Sequence, residues 1–138
     1  MRVAQCHCGQ LRATATGEPD RIYLCHCIAC QRRTGSPFHH GSRWLKTQVS
    51  TEGEVKTFAR KADSGFENRF HFCPNCGSTV FWEGDRAPEC CGITVGAFAD
   101  PNFPPPTISI FEESLHGWLD LSSVAEHFEL GFPMVPPR

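Results

Sequence analysis

Cys6-His7-Cys8-Gly9-Gln10-Leu11-Arg12-Ala13-Thr14-Ala15-Thr16 carries two signals at once. Val3 to Cys8 reads as a short strand, and Gly9 supplies a turn. From Gln10 to Thr16, apolar Leu11, Ala13 and Ala15 alternate with Arg12, Thr14 and Thr16. That two-residue period is the mark of a half-buried strand, so the stretch predicts a hairpin. Cys6 and Cys8 stand at i and i+2, which in a strand is one face. Two sulfurs can therefore grip one ion while His7 points away.

Moving outward, the spacing recurs in Cys25-His26-Cys27-Ile28-Ala29-Cys30 and, in another form, in Cys73-Pro74-Asn75-Cys76-Gly77. A Cys-x-x-Cys turn brings two sulfurs together by wrapping round a metal, and Gly77 suits the positive φ that such a knuckle often needs. Zinc takes four thiolates in a closed structural site and three protein ligands in an open catalytic one. Seven clustered cysteines divide naturally as four and three. Cys6, Cys8, Cys73 and Cys76 would staple two distant hairpins, while Cys25, Cys27 and Cys30 are contiguous and staple nothing distant. A metal held by one short loop adds little to folding and is better explained by chemistry. Two alternatives stay open at this level. One is a single structural zinc with the other thiols buried and free. The other is two closed sites, with His39, His40 or His71 as the eighth ligand. Cys90 and Cys91 open an apolar stretch and read as buried strand thiols.

Between these motifs the chain is β-rich. Ile22 to Cys27, Val55 to Arg60, Asn68 to Phe72, Thr79 to Glu83 and Ile108 to Phe111 read as strands. Phe38 to Leu45 reads as extended and Gly92 to Phe98 as weakly alternating. Ile28 to Thr34 predicts two helical turns closed by Gly35. The fold class is mainly β with one or two short helical turns. At 138 residues and 40% hydrophobic, the chain suits one domain. Its boundaries are read as residues 1–126, followed by a tail at residues 127–138.

Nine cysteines need a compartment. No apolar segment follows the basic start, and nine is odd, so a secreted disulfide framework is not expected. In a reducing cytoplasm, clustered cysteines bind metal or do thiol chemistry. No apolar run approaches the roughly 18–20 residues of a membrane span. Residues 1–86 hold 12 basic and 8 acidic groups, and residues 87–138 hold 1 and 7. The basic part contains every clustered cysteine, as expected of compensation for thiolates on metal. The overall charge of −2 and pI near 6.4 argue against a nucleic-acid module.

The order of the three cysteine motifs resembles the glutathione-dependent formaldehyde-activating family, which shares a superfamily with centromere protein V. The likeness runs from about Val3 to Leu121. It includes Thr34-Gly35-Ser36-Pro37-Phe38, Arg69 ahead of Phe72-Cys73, Gly77-Ser78, Gly96-Ala97-Phe98-Ala99-Asp100-Pro101, and Ile108 to Leu121 with its Trp118. The resemblance implies the β-tent fold, small coiled sheets held by zinc, with two zinc ions per chain. Its structural ligands fall on Cys6, Cys8, Cys73 and Cys76. Its second zinc falls on Cys25, Cys27 and Cys30, where glutathione can approach.

The activity so implied is a carbon–sulfur lyase. It forms or cleaves the S-hydroxymethyl adduct of a small-molecule thiol and formaldehyde or a related aldehyde. Arg32 and Arg33 follow the second cluster and could hold the carboxylates of a thiol peptide. His26, His39 and His40 are candidate proton carriers. The competing expectations are a non-enzymatic module whose two structural zincs support a partner-binding surface, and redox chemistry at Cys90 and Cys91.

Overall fold

The computed structural model describes residues 1–62 and 64–133. The chain is mainly β and divides into two compact units. One comprises Met1–Asp20 and Gly41–Phe103, and the other comprises Arg21–His40 and the chain from Pro104 onward.

In the first unit, β1 (Arg2–Gln5), β2 (Arg12–Ala15) and β5 (Val49–Glu52) form an antiparallel sheet in the order β1-β2-β5. The hairpin register pairs Val3 with Thr14, and the alternation read in β2 places Ala13 and Ala15 in the core. A second antiparallel array runs from β4 (His39–Leu45), which belongs to this unit from Gly41 on, through β9 (Cys90–Thr94), β8 (Thr79–Gly84) and β7 (Glu67–Phe72) to β6 (Lys56–Lys61). The core gathers Ala4, Leu11, Trp44, Val80 and Ile93, all fully enclosed. Burying the Trp44 ring requires a partner for its N–H. Its Nε1 donates to Ser42 Oγ at 2.9 Å, and that hydroxyl donates to the Ile93 carbonyl at 2.8 Å. The ring packs on Phe98, which stacks on Phe103. Cys90 and Cys91 open β9, both buried, and burial pushes the Cys91 thiol up to about 11.

In the second unit, β3 (Arg21–Cys25), β10 (Ile108–Ile110) and β11 (Glu126–His127) form a parallel set in the order β11-β10-β3. The register sets Cys25 opposite Ile110. Helix α1 (Ile28–Thr34) follows β3 and ends on Gly35 at φ 70°, as its sequence predicts. From the expected tail, Phe128 donates its N–H to the Ser109 carbonyl and Leu130 accepts from Phe111 N–H. Residues 134–138 of that tail lie outside the described residues.

Strand β5 was not read from the sequence. Its residues Val-Ser-Thr-Glu are almost all exposed, so no apolar alternation marks them, and pairing with β2 alone makes them a strand. Gly92 to Phe98 splits into β9 and a 3₁₀ turn at Val95–Phe98.

Candidate metal centres

Four sulfurs meet in the first unit. The Sγ atoms of Cys6, Cys8, Cys73 and Cys76 all lie within 4.8 Å of one another. The local geometry corrects the strand reading of Cys6 and Cys8. Strand β1 ends at Gln5, and both cysteines sit in the turn that follows, closed by Gly9 N–H to the Cys6 carbonyl at 3.1 Å. A turn rather than a strand face brings the two Sγ to 3.6 Å. On the other side, the register between β7 and β8 slips between His71 and Phe72. The slip re-aims the chain immediately before Cys73. The Cys73–Cys76 knuckle then closes with Gly77 N–H on the Cys73 carbonyl at 2.8 Å, and Gly77 adopts φ 81° as expected.

The donor set fits zinc. Tetrahedral thiolates at about 2.3 Å from the metal stand about 3.8 Å apart, and here Cys6–Cys8 and Cys8–Cys73 measure 3.6 and 3.7 Å. The sulfurs also receive hydrogen bonds suited to thiolates. Leu11 N–H donates to Cys6 at 3.3 Å, while Asn75 and Cys76 N–H donate to Cys73 at 3.4 and 3.5 Å. The Gln10 amide reaches Cys73 at 3.0 Å. Burial acts against ionisation of Cys73, yet these donors outweigh it and its thiol lies below the ordinary value. The Ser78 hydroxyl, 3.4 Å from Cys76, does the most to lower that thiol to about 5. Burial pushes Cys6 up. The sequence reading names Gln10 in the β2 stretch and Ser78 in the family resemblance, but gives neither a role at the sulfurs. Their only signal was position, one residue past Cys-x-Cys-Gly and two past Cys-x-x-Cys.

Three sulfurs meet in the second unit, where the Sγ atoms of Cys25, Cys27 and Cys30 share the same 4.8 Å limit. Cys25 ends β3, Cys27 caps α1 and Cys30 lies in the first turn of the helix. Strand alternation again does not bring Cys25 and Cys27 together, because the strand stops at Cys25 and the chain bends into the helix. Cys30 N–H donates to Cys27 Sγ at 3.3 Å. Among the described residues, no His, Asp or Glu donor joins either group. His71 instead pairs with Thr57 at 2.9 Å and stacks on Phe81. Cys27 and Cys30 beside Cys25 push its thiol far up, with burial adding to their effect. Three thiols so crowded resist joint ionisation until a cation joins them, which is the behaviour expected of a metal trio.

The polar frame of this trio comes from His26 and Gln31. His26 is fully buried, its N–H bonded to the Ile110 carbonyl and its ring Nε2 3.0 Å from Ser109 Oγ. Gln31 Nε2 donates to the His26 carbonyl at 2.9 Å and to the Ser114 carbonyl at 3.1 Å. The structure separates the two arginines. Arg32 is exposed and lines an open depression of about 340 Å³ with Gln31, Gly35, Ser36, Pro37 and His116. The Arg33 charge is felt instead at Tyr23, Cys30 and His39. The expected proton carriers are enclosed or partly so. His39 is 3% exposed, and burial, then Arg33, lowers its ring to about 3. Burial also lowers His26 and His40.

Comparison with known proteins follows the same lines. The family model for the glutathione-dependent formaldehyde-activating enzyme matches residues 1–114. An uncharacterized lyase of Schizosaccharomyces pombe is 34% identical over 77 residues, 56% of this chain. The match spans about half, 53%, of that relative's length. The crystal structure of a Rhodobacter sphaeroides protein superposes with a TM-score of 0.57 at 18% identity, covering 75% of this chain and 91% of that one, which speaks to the fold. No helix among the described residues is long and apolar enough to cross a membrane. With the family model matched from the first residue through both cysteine clusters, the chain belongs to the glutathione-dependent formaldehyde-activating enzyme family.

Proposed function

We propose that the chain is a zinc-dependent carbon–sulfur lyase. It joins a small-molecule thiol, glutathione or an analogue, to formaldehyde or a similar aldehyde, and reverses that step. The observation that carries the reading is the three-sulfur group of Cys25, Cys27 and Cys30, which no fourth Cys and no His, Asp or Glu joins among the described residues. An all-thiolate set of this kind suits zinc. Zinc held there would supply a position at which an incoming thiol is kept as thiolate, the form that attacks an aldehyde carbon.

The chain's own residues then orient the substrate. Arg32 offers an exposed guanidinium on the depression beside the helix, suited to a carboxylate of a thiol peptide. Arg33, felt at Cys30, offsets the negative charge of the thiolate group. Holding thiol and aldehyde in one place makes the addition effectively unimolecular. The four-sulfur group is closed by its own ligands and serves the fold. The family membership and the lyase name of the Schizosaccharomyces pombe relative both agree with this reading.

The test is the rate of exchange between glutathione, formaldehyde and their adduct, followed by NMR with the zinc-loaded protein. The wild-type chain should accelerate exchange, Cys25→Ser should abolish the acceleration, and a Cys90→Ala/Cys91→Ala variant should keep it. Exchange at the uncatalysed rate with wild-type protein would contradict the proposal.

A further inference from the structure

His116 lies outside the three cysteine motifs, yet a hydrogen bond to Gln31 fixes its tautomer. The Gln31 amide is pinned because its Nε2 donates to two main-chain carbonyls, those of His26 and Ser114. Carbonyls only accept, so the amide cannot be turned round, and Oε1 is the atom that meets His116. Oε1 only accepts as well. The ring Nε2 of His116, 3.1 Å away, must therefore carry the hydrogen. In the neutral ring, Nδ1 is then the basic nitrogen. The same ring is exposed and lines the depression with Arg32. His26 and His39, by contrast, are 0% and 3% exposed. Gln31 follows Cys30 directly in α1 and holds the backbone of His26, between Cys25 and Cys27. One side chain thus links the frame of the three sulfurs to a histidine of defined tautomer.

We infer that His116 carries the proton of the thiol–aldehyde reaction, an inference that rests on the function proposed above. The substrate S–H gives its proton to Nδ1, making the imidazolium. The sulfur electron pair forms the C–S bond as the carbonyl π bond opens to an alkoxide. The imidazolium returns the same proton to that oxygen, leaving the hydroxymethyl thioether and a neutral ring. The reverse reaction takes the hydroxyl proton onto Nδ1 as the C–S bond breaks and the carbonyl re-forms. No proton or electron is gained or lost overall.

The test uses the full zinc-loaded chain with glutathione and formaldehyde, again by NMR exchange. His116→Ala should slow exchange by about 100-fold, the lower range for a lost general acid–base group. Zinc content and glutathione affinity should stay unchanged, and added imidazole should restore part of the rate. His116→Gln, which can still donate to Gln31 but cannot carry a proton, should be as slow as His116→Ala. Exchange within twofold of wild type in His116→Ala, or full activity in His116→Gln, would overturn the assignment. A wild-type chain that does not accelerate exchange would overturn the proposed function itself.

Discussion

Gln10 illustrates how much a metal site owes to side chains that are not ligands. Its Nε2 is shared between Cys73 Sγ at 3.0 Å and the Glu54 carbonyl at 2.8 Å, while its Oε1 accepts from Glu54 N–H at 2.9 Å. The residue ties the turn after β1 to the segment after β5 and stabilises the thiolate of Cys73 together. Removing such a supporting partner commonly weakens metal binding by about 10- to 100-fold. Gln10→Ala should therefore lose zinc from the four-sulfur site to a competing chelator at least about tenfold more readily, with the three-sulfur site unaffected. His39 makes a second prediction at this scale. Its folded value, about 3, lies below the unfolded value of about 6.5. Between those values the unfolded chain binds more protons, so the contribution to stability is complete above about pH 6.5 and is lost as pH falls towards 3. The slope is at most about 1.4 kcal/mol per pH unit. Urea unfolding across pH 4–6.5 should show His39→Asn losing stability less steeply than wild type; equal slopes would remove His39 from the account. The cysteines and Gly77 announced their roles because metal ligation and positive φ restrict residue type. Gln10, Ser78, Gln31 and His116 did not. Each of the four has a contact that spans 44 to 85 residues of sequence, and common polar residues give no sign of such partners.

At the scale of elements, the strands with alternating apolar residues were legible, and so was α1 with its Gly35 stop. The pieces that were not legible share one physical cause: they are shaped by what they pair with. Strand β5 is held by β2, and β11 by β10 in a parallel pairing that no local pattern encodes. The Cys-x-Cys units were read on strand faces but lie at strand ends, and it is the turn after β1 that brings the Cys6 and Cys8 sulfurs to 3.6 Å. The Trp44–Ser42–Ile93 bonds show how β4 and β9 are locked on the core side. Trp44→Ala removes a fully buried ring and frees the Ser42 hydroxyl of its donor. A loss of about 3–5 kcal/mol is expected in denaturant unfolding. A loss under about 1 kcal/mol would mean the core closes without the ring.

For the molecule as a whole, the sulfurs divide by the length of chain they join. Cys8 and Cys73 are 65 residues apart, so a metal on the first group closes a long loop in the unfolded chain. Cys25 to Cys30 are contiguous with one helical turn, and a metal there closes almost nothing. Cys73→Ser should accordingly leave the chain largely unfolded by circular dichroism. Cys25→Ser should fold and lose one of two zinc ions. Unfolding of both variants would remove the distinction between the sites. The separation of Arg32 from Arg33 and the enclosure of His26 and His39 were beyond sequence reading, since adjacency along the chain says nothing about which side of a short helix faces the open depression. The central claim is that the three-sulfur centre accepts a fourth sulfur from substrate. Zinc-edge X-ray absorption on the zinc-loaded protein, recorded during a glutathione titration, reads this directly. One added sulfur ligand per chain in wild type, and none in Cys25→Ser, is the predicted result. Unchanged sulfur coordination at millimolar glutathione would contradict it.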